Sequence, residues 1–85
     1  MANVEIYSTG ICPYCTMAKQ LLDRKGVEYT EVRVDLDPSK RQEMMQKSRQ
    51  RTVPQIFINN EAIGGYTDLV AMDREKKLDN LLSAS

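Results

Sequence analysis

Two cysteines separated by two residues, Cys12 and Cys15, are the side chains best suited to chemistry in this sequence, which has no histidine. A structural zinc site needs about four ligands, commonly Cys or His, and the chain offers two. A permanent disulfide across so short a loop removes little chain entropy and would contribute little stability. The pair is therefore expected to be redox-active and to cycle between dithiol and disulfide.

The residues around the pair predict different roles for the two sulfurs. Pro13 suits the first position of a helix, which makes Cys12 the N-cap. The backbone N–H groups of Tyr14 and Cys15 would then point at the Cys12 sulfur, and the helix dipole favours a negative charge there. Both effects should lower the pKa of the Cys12 thiol, and the thiolate is the nucleophile. We therefore expect Cys12 to attack and Cys15, one turn further into the helix, to resolve.

Length and charge narrow the class of protein. The 85 residues correspond to one small domain, taken as residues 1–85. Twelve basic and twelve acidic side chains cancel, which argues against a nucleic-acid binder. No apolar stretch is long enough to span a membrane, and the N-terminus lacks the pattern of a signal peptide. The expectation is a cytoplasmic monomer that binds neither nucleic acid nor membrane.

The hydrophobic pattern predicts the element order β-α-β-α-β-β-α, an α/β fold. Strands are expected near residues 4–7, 28–34, 52–58 and 61–65, and helices over residues 13–25, from residue 38, and from a cap at Thr67 or Asp68. A last helical piece follows near residue 78. The first βαβ unit should be parallel with a right-handed crossover, and the hairpin antiparallel. The apolar side chains assigned to the core include Met17, Val32, Val34, Leu36, Met44, Met45 and Met72.

The second half of the chain carries two further patterns. Pro54 either marks the entry to a strand or follows a cis bond that turns the backbone N–H and C=O of Val53 toward Cys12, where they could pair with a peptide-like substrate. Gly64 and Gly65 either mark a turn or precede a helix start whose N–H groups form an anion site.

Three charged or aromatic side chains complete a possible ligand site. Asp68 could take an ammonium group, and Arg51 a carboxylate, although Arg51 also fits a solvated helix end together with Lys47 and Arg49. Tyr14 either packs on a bound tripeptide or only covers sulfur. The implied ligand has two charged ends, peptide bonds and a thiol, which is the shape of glutathione.

The motifs Cys12-Pro13-Tyr14-Cys15, Thr52-Val53-Pro54 and Gly64-Gly65 followed by Thr67-Asp68 resemble the glutaredoxin family, in particular its small bacterial dithiol members. The resemblance extends over residues 4–82. It implies a thioredoxin-like fold with a mixed sheet of order 2-1-3-4 and a cis Val53-Pro54 bond. It implies that glutathione is a co-substrate and that no metal or other cofactor is needed. The residues implied to hold glutathione are Tyr14, Arg51, Thr52, Val53, Pro54, Gly65, Thr67 and Asp68.

The sequence departs from the family pattern at two positions. Thr9 stands where many members carry Lys or Arg, three residues before the first cysteine. We expect Lys19 to compensate, because helical side chains lean toward the helix N-terminus. Arg49 stands where Gly is common.

The resemblance implies reduction of protein–glutathione mixed disulfides by Cys12 alone and of protein disulfides by both cysteines. Expected partners are glutathione and glutathionylated or disulfide-containing proteins, with ribonucleotide reductase as a candidate. Two alternatives stay open. One is a redoxin of the same fold that thioredoxin reductase reduces and that serves ribonucleotide reductase. The other is an iron–sulfur carrier in which two chains each offer Cys12 and two glutathione thiols complete the ligands.

Overall fold

The computed structural model describes residues 3–83, so the domain predicted over residues 1–85 extends beyond the described residues at both ends. The elements in chain order are β1 (Val4–Ser8), α1 (Pro13–Arg24), β2 (Thr30–Arg33), α2 (Pro38–Ser48), β3 (Gln55–Ile58), β4 (Glu61–Gly64), α3 (Tyr66–Arg74) and α4 (Lys77–Ser83). The sheet order is β2-β1-β3-β4, with β1 parallel to β2 and antiparallel to β3. The predicted element order and sheet order are confirmed.

The two central strands are buried on both faces. Every residue of β1 and β3 is buried except Glu5, which is partly exposed, as expected for strands covered on both sides. One face of the sheet packs against α1, α3 and α4 through a core of Val4, Ile6, Ala18, Leu21, Leu22, Ile56, Ile58, Leu69 and Leu78. The other face packs against α2 through Tyr7, Val34, Met44 and Phe57. This arrangement fixes β1, and with it the start of the loop that leads to Cys12, between helices on both faces.

Helix α1 carries the cysteine pair, and its pattern explains how they are placed. Its buried residues, Cys15, Ala18, Leu21 and Leu22, recur at three- and four-residue spacing along one face. Pro13 occupies the first turn, and Gly26, with a φ of 69°, follows the C-cap residue Lys25. The helix therefore begins immediately after Cys12 and buries Cys15.

Helix α2 ends at its C-cap residue Arg49, whose backbone adopts a conformation that favours glycine. Its N-cap Asp37 accepts the N–H of Ser39 at 3.0 Å. Its C-cap Arg49 is left-handed, with a φ of 60°. Glycine adopts that conformation without steric cost, which accounts for the glycine common there in the family.

Two core assignments were wrong. β2 covers Thr30–Arg33 rather than residues 28–34, and the chain then turns, which leaves Leu36 73% exposed instead of buried. Met17 is 40% exposed, because it lies beside the face of α1 that Cys15 and Ala18 bury. Among residues 3–83, no helix combines the length and apolarity needed to cross a bilayer.

Candidate active site

Cys12 lies at the N-terminus of α1, where the sequence placed it. Its backbone is extended, with a φ of −156°, and its sulfur accepts the N–H of Cys15 at 3.1 Å. Of the two predicted donors, Tyr14 makes no such bond within the described residues. Cys12 and Cys15 form a disulfide with Cα atoms 5.1 Å apart. Cys15 is buried and Cys12 is only half-buried, so Cys12 is the sulfur that a substrate can reach.

The sheet order determines what flanks Cys12. Because β1 lies between β2 and β3, its carboxyl end faces the end of β2 on one side and the start of β3 on the other. On the β3 side the Val53-Pro54 bond is cis, as the resemblance implied. The carbonyl oxygen of Val53 lies 3.9 Å from the Cys12 sulfur. The backbone of Val53 thus stands beside Cys12.

A groove of about 240 Å³ lies on this same side of Cys12. Six of the residues predicted to hold a ligand line this groove, together with one residue that the sequence analysis missed, Tyr66. The full lining is Tyr14, Thr52, Val53, Pro54, Gly65, Tyr66 and Thr67.

Tyr66 is the lining residue that sequence reasoning missed. Its ring stacks on that of Tyr14, with centroids 6.0 Å apart and planes 29° apart. An aromatic residue directly after two glycines at a helix start was the available signal, but the sequence does not show that α3 approaches Tyr14. The two rings form one continuous aromatic wall of the groove.

Two predicted ligand-binding residues, Arg51 and Asp68, do not line the groove. Arg51 is exposed and makes no hydrogen bond or ion pair within residues 3–83. Asp68 is also exposed, and its Oδ2 accepts the N–H of Gly65 at 2.9 Å. Both flank the groove in sequence, and their roles in binding stay predictions.

The start of α3 differs from the expected one. Its N-cap is Gly65 rather than Thr67 or Asp68, and Asp68 instead caps the helix from its third position. Gly64 has a φ of 116°, and a Cβ there would overlap the Asp68 carboxylate. Glycine at position 64 is thus required twice, by the backbone and by the cap.

On the β2 side of Cys12 the side chains are charged and paired. The Arg33 guanidinium binds the Asp35 carboxylate at 2.7 and 2.8 Å, and Asp35 also accepts the N–H of Gly10 at 3.1 Å. The Arg33 guanidinium is the main reason that the pKa of Asp35 lies well below its usual range.

A second charged set lies next to the first. Glu31 accepts the buried Ser8 hydroxyl at 2.6 Å and the Lys19 ammonium at 2.9 Å. These two bonds, the Ser8 bond first, lower the pKa of Glu31. Lys19 therefore pairs with Glu31, and the expectation that it compensates for Thr9 beside Cys12 finds no support in this geometry.

Volume alone does not locate the site. A larger cavity, of about 480 Å³, lies at the opposite end of β1 around Val4 and Gly26 and includes neither cysteine. Within the described residues, no group of three or more His, Cys, Asp or Glu side chains is placed to hold a metal ion. The reactive sulfurs, rather than cavity size, identify the candidate active site.

Comparison with known proteins gives consistent matches. The family model for glutaredoxin matches residues 4–63. Glutaredoxin 3 of Escherichia coli K12 is 52% identical over 82 residues, covering 96% of this chain and 99% of that protein. A glutaredoxin of Pseudomonas aeruginosa is 51% identical over 84 residues, covering 99% of this chain and all of that protein.

Solved structures agree in fold. A buckwheat glutaredoxin–glutathione complex superposes with a TM-score of 0.89 at 29% identity, covering 96% of this chain and 77% of that one. The solution structure of glutaredoxin from Brucella melitensis gives a TM-score of 0.85 at 48% identity, covering 96% of this chain and 89% of that one. The sheet and helices described above are therefore those of the thioredoxin fold.

Proposed function

The chain belongs to the glutaredoxin family and is a thiol–disulfide oxidoreductase, and from that premise we propose that glutathione is its reductant and that protein–glutathione mixed disulfides are its main substrates. The observation that carries this proposal is the position of Cys12 beside the Val53 carbonyl, next to a groove lined by the Val53 backbone and two tyrosine rings. Protein disulfides are further substrates, with ribonucleotide reductase as a candidate. The protein acts as a single cytoplasmic domain and a monomer.

The groove supports glutathione in an extended conformation. The backbone N–H and C=O of Val53 pair with the peptide groups of the ligand, as in strand addition. Thr52 and Pro54 shape the floor on either side of Val53, and the Tyr14 ring packs on the ligand opposite. This places the glutathione sulfur next to Cys12.

The two charged ends of glutathione meet different groups. The N–H groups at the start of α3, beside Gly65 and Thr67, hold the α-carboxylate of the γ-glutamyl end. The second oxygen of Asp68 takes the adjacent ammonium group. Arg51 holds the glycine carboxylate at the other end. Glutathione is consumed as a co-substrate, and the proposal needs no metal or organic prosthetic group.

The exchange reactions follow from the two sulfurs. The Cys12 thiolate attacks the glutathione sulfur of a mixed disulfide; the new bond joins Cys12 to glutathione, and the protein thiolate leaves and takes up a proton. A second glutathione thiolate then releases glutathione disulfide and regenerates the Cys12 thiolate. With a protein disulfide, Cys12 first forms a mixed disulfide with the substrate, and Cys15 then displaces the substrate sulfur from Cys12. That route yields the Cys12–Cys15 disulfide of this structure, which two glutathiones reduce.

The test is glutathione-dependent reduction of a glutathionylated peptide by the wild type, Cys12→Ser and Cys15→Ser. We expect Cys15→Ser to keep activity and Cys12→Ser to lose it, because the first route needs only Cys12. A peptide that carries cysteamine in place of glutathione is the matched substrate, since it has the same disulfide and none of the groove contacts. Equal reduction of both peptides by the wild type would show that the groove does not recognise glutathione. So would failure to reduce either peptide with glutathione, provided that dithiothreitol still reduces the Cys12–Cys15 disulfide.

A further inference from the structure

The loop of residues 9–11, which joins β1 to Cys12, has few contacts of its own. Ile11 is 97% exposed, and among residues 3–83 the Thr9 hydroxyl forms a single hydrogen bond, to the carbonyl of Ile11 at 3.5 Å. Within the part of the chain that the structure describes, the hydrogen bond that ties this loop to another element runs from the Gly10 N–H to Asp35. The position of the loop therefore depends on the side chain of Asp35.

Asp35 is itself held by Arg33, and the guanidinium fills the space next to Gly10. Both oxygens of the Asp35 carboxylate bind Arg33, in the two-bond geometry that makes an arginine–carboxylate pair directional. A Cβ on Gly10 would lie 2.5 Å from the Arg33 Nη2 atom. Gly10 is not among the residues with positive φ, so a larger residue there would displace the guanidinium without straining the backbone. We call this three-residue contact the Gly10 clamp.

We propose that the Gly10 clamp positions Cys12 for thiol–disulfide exchange by holding the loop of residues 9–11 in place when the disulfide opens. The Cys12 carbonyl accepts the Thr16 N–H at 3.0 Å, which holds Cys12 at the start of α1, and in the oxidised protein the bond to Cys15 fixes its side chain as well. Reduction removes that bond, and the clamp then remains as the link between this loop and the β2 end of the sheet. Arg33 and Asp35 are thus positioning residues, because they act on Cys12 only through Gly10.

The clamp acts through geometry rather than through charge. The Arg33 cation is matched by the Asp35 carboxylate at 2.7 Å, so the pair adds little net charge near Cys12. This separates two expectations for Asp35→Asn, which leaves Arg33 unmatched. A charge effect would make Cys12 more reactive, since an unpaired cation favours the thiolate. Loss of positioning makes Cys12 less reactive.

The experiment compares Gly10→Ala, Arg33→Ala and Asp35→Asn with Asp73→Asn. Gly10→Ala is the most selective, because the new methyl group displaces only the far end of a flexible, partly exposed side chain. Asp73→Asn is the matched control, since it removes an acidic partner of Lys25 at the other end of α1. The first measurement is the dithiol–disulfide equilibrium in dithiothreitol buffers. The second is the rate at which iodoacetamide alkylates Cys12 in a Cys15→Ser background.

We expect each of the three clamp variants to shift the equilibrium toward the disulfide and to slow alkylation by about threefold or more, because both follow the stability of the Cys12 thiolate. Asp73→Asn should match the wild type in both. The Gly10→Ala/Arg33→Ala double variant should be no worse than either single variant, since both changes break the same contact.

Two results would overturn the proposal. Faster alkylation in Asp35→Asn would show that the pair acts through charge. Wild-type equilibria in all three variants would reduce the clamp to an exposed ion pair of little consequence. Melting temperatures of Arg33→Ala and Asp73→Asn, measured together, separate positioning from a general loss of stability. The inference rests on thiol–disulfide exchange and not on the proposed use of glutathione, because dithiothreitol is the reductant throughout.

Discussion

The two flanks of Cys12 are built on opposite principles. The groove flank, on the β3 side, consists of the groove lining with Arg51 and Asp68 beside it. The clamp flank, on the β2 side, consists of the Gly10 clamp and the Ser8–Glu31–Lys19 set. Both lie at the same end of β1, but one presents aromatic rings and backbone groups, and the other presents charges that are already paired.

This difference indicates which flank meets the ligand and which supports the sulfur. A ligand gains binding energy from groups that have no protein partner, because no internal hydrogen bond has to break first. Arg51 is such a group within residues 3–83, whereas Arg33 and Lys19 each have a carboxylate partner. Satisfied polar networks, in turn, fix geometry. Changes on the groove flank should therefore alter substrate affinity, and changes on the clamp flank should alter stability or the properties of Cys12.

The largest effect expected on the groove flank is that of Tyr66→Ala. Loss of the ring removes one wall of the groove and the stacking partner of Tyr14, which should raise the KM for a glutathionylated peptide about tenfold. Tyr66→Phe is the matched control, and it should stay near the wild type because it keeps the ring. Steady-state kinetics measure both variants. An unchanged KM in Tyr66→Ala would contradict the assignment of the groove flank to substrate binding. A shifted dithiol–disulfide equilibrium in dithiothreitol buffers would show that this flank also affects Cys12.

On the clamp flank, Ser8→Ala should lower stability and leave substrate affinity unchanged. The Ser8 hydroxyl is fully buried and donates to Glu31 at 2.6 Å. Its loss should cost about 1 kcal/mol of the free energy of unfolding, as for a typical intramolecular hydrogen bond, because Glu31 is partly exposed and keeps Lys19 as a partner. Urea denaturation gives this value, and Ser83→Ala, which removes an exposed hydroxyl, is the control. A raised KM for the glutathionylated peptide would contradict the assignment of Ser8 to support.

The parts of the site that the sequence could predict are those set by local signals. Pro13 after Cys12 defines a helix start within a few residues, and the Cys15 N–H bond to Cys12 follows from that start. Val53 beside Cys12 was one of two interpretations of Pro54 that the sequence left open, and the sheet order and cis bond implied by the family resemblance favoured it.

The parts that could not be predicted depend on how distant elements pack. Tyr66 reaches Tyr14 only because α3 lies against the N-terminal part of α1. Lys19 was expected beside Cys12, but the parallel pairing of β1 with β2 brings Glu31 within its reach. The reason for glycine at position 10 is a guanidinium 23 residues further along the chain. In each case the contact depends on the packing of elements that are distant in the sequence, which local sequence signals do not report.

Arg51→Ala tests whether the exposed edge of the groove flank binds charge. Arg51 is solvent-exposed, so its attraction for a carboxylate is screened, and we expect the KM for glutathione to rise about threefold. The increase should shrink as salt is added, which a loss of packing would not do. Arg41→Ala, which removes an exposed arginine on α2, is the control and should have no effect. Equal changes in both variants would mean that net charge, and not Arg51, attracts the ligand.

The smallest effect is expected from Glu31→Gln, and it should depend on pH. The Ser8 hydroxyl and the Lys19 ammonium lower the pKa of Glu31 in the folded protein below its ordinary value of about 4.3. The resulting stabilisation is present above that value and is lost as the pH falls through the folded pKa. At pH 7 the variant should therefore be less stable by about 0.5 kcal/mol, a small figure because Glu31 is partly exposed. As the pH falls through the lowered pKa of Glu31 and the side chain is neutralised, urea curves of the two proteins should converge. A deficit that persists in acid would mean that Glu31 contributes shape rather than charge.

The Glu31→Gln variant also leaves Lys19 without its carboxylate partner, so the alkylation rate of Cys12 in this variant is informative as well. It should stay at the wild-type value, because within residues 3–83 neither Glu31 nor Lys19 forms a hydrogen bond or ion pair with the loop of residues 9–11. A faster rate would show that Lys19, once released, acts on Cys12 after all, and would extend the influence of the clamp flank beyond the Gly10 clamp.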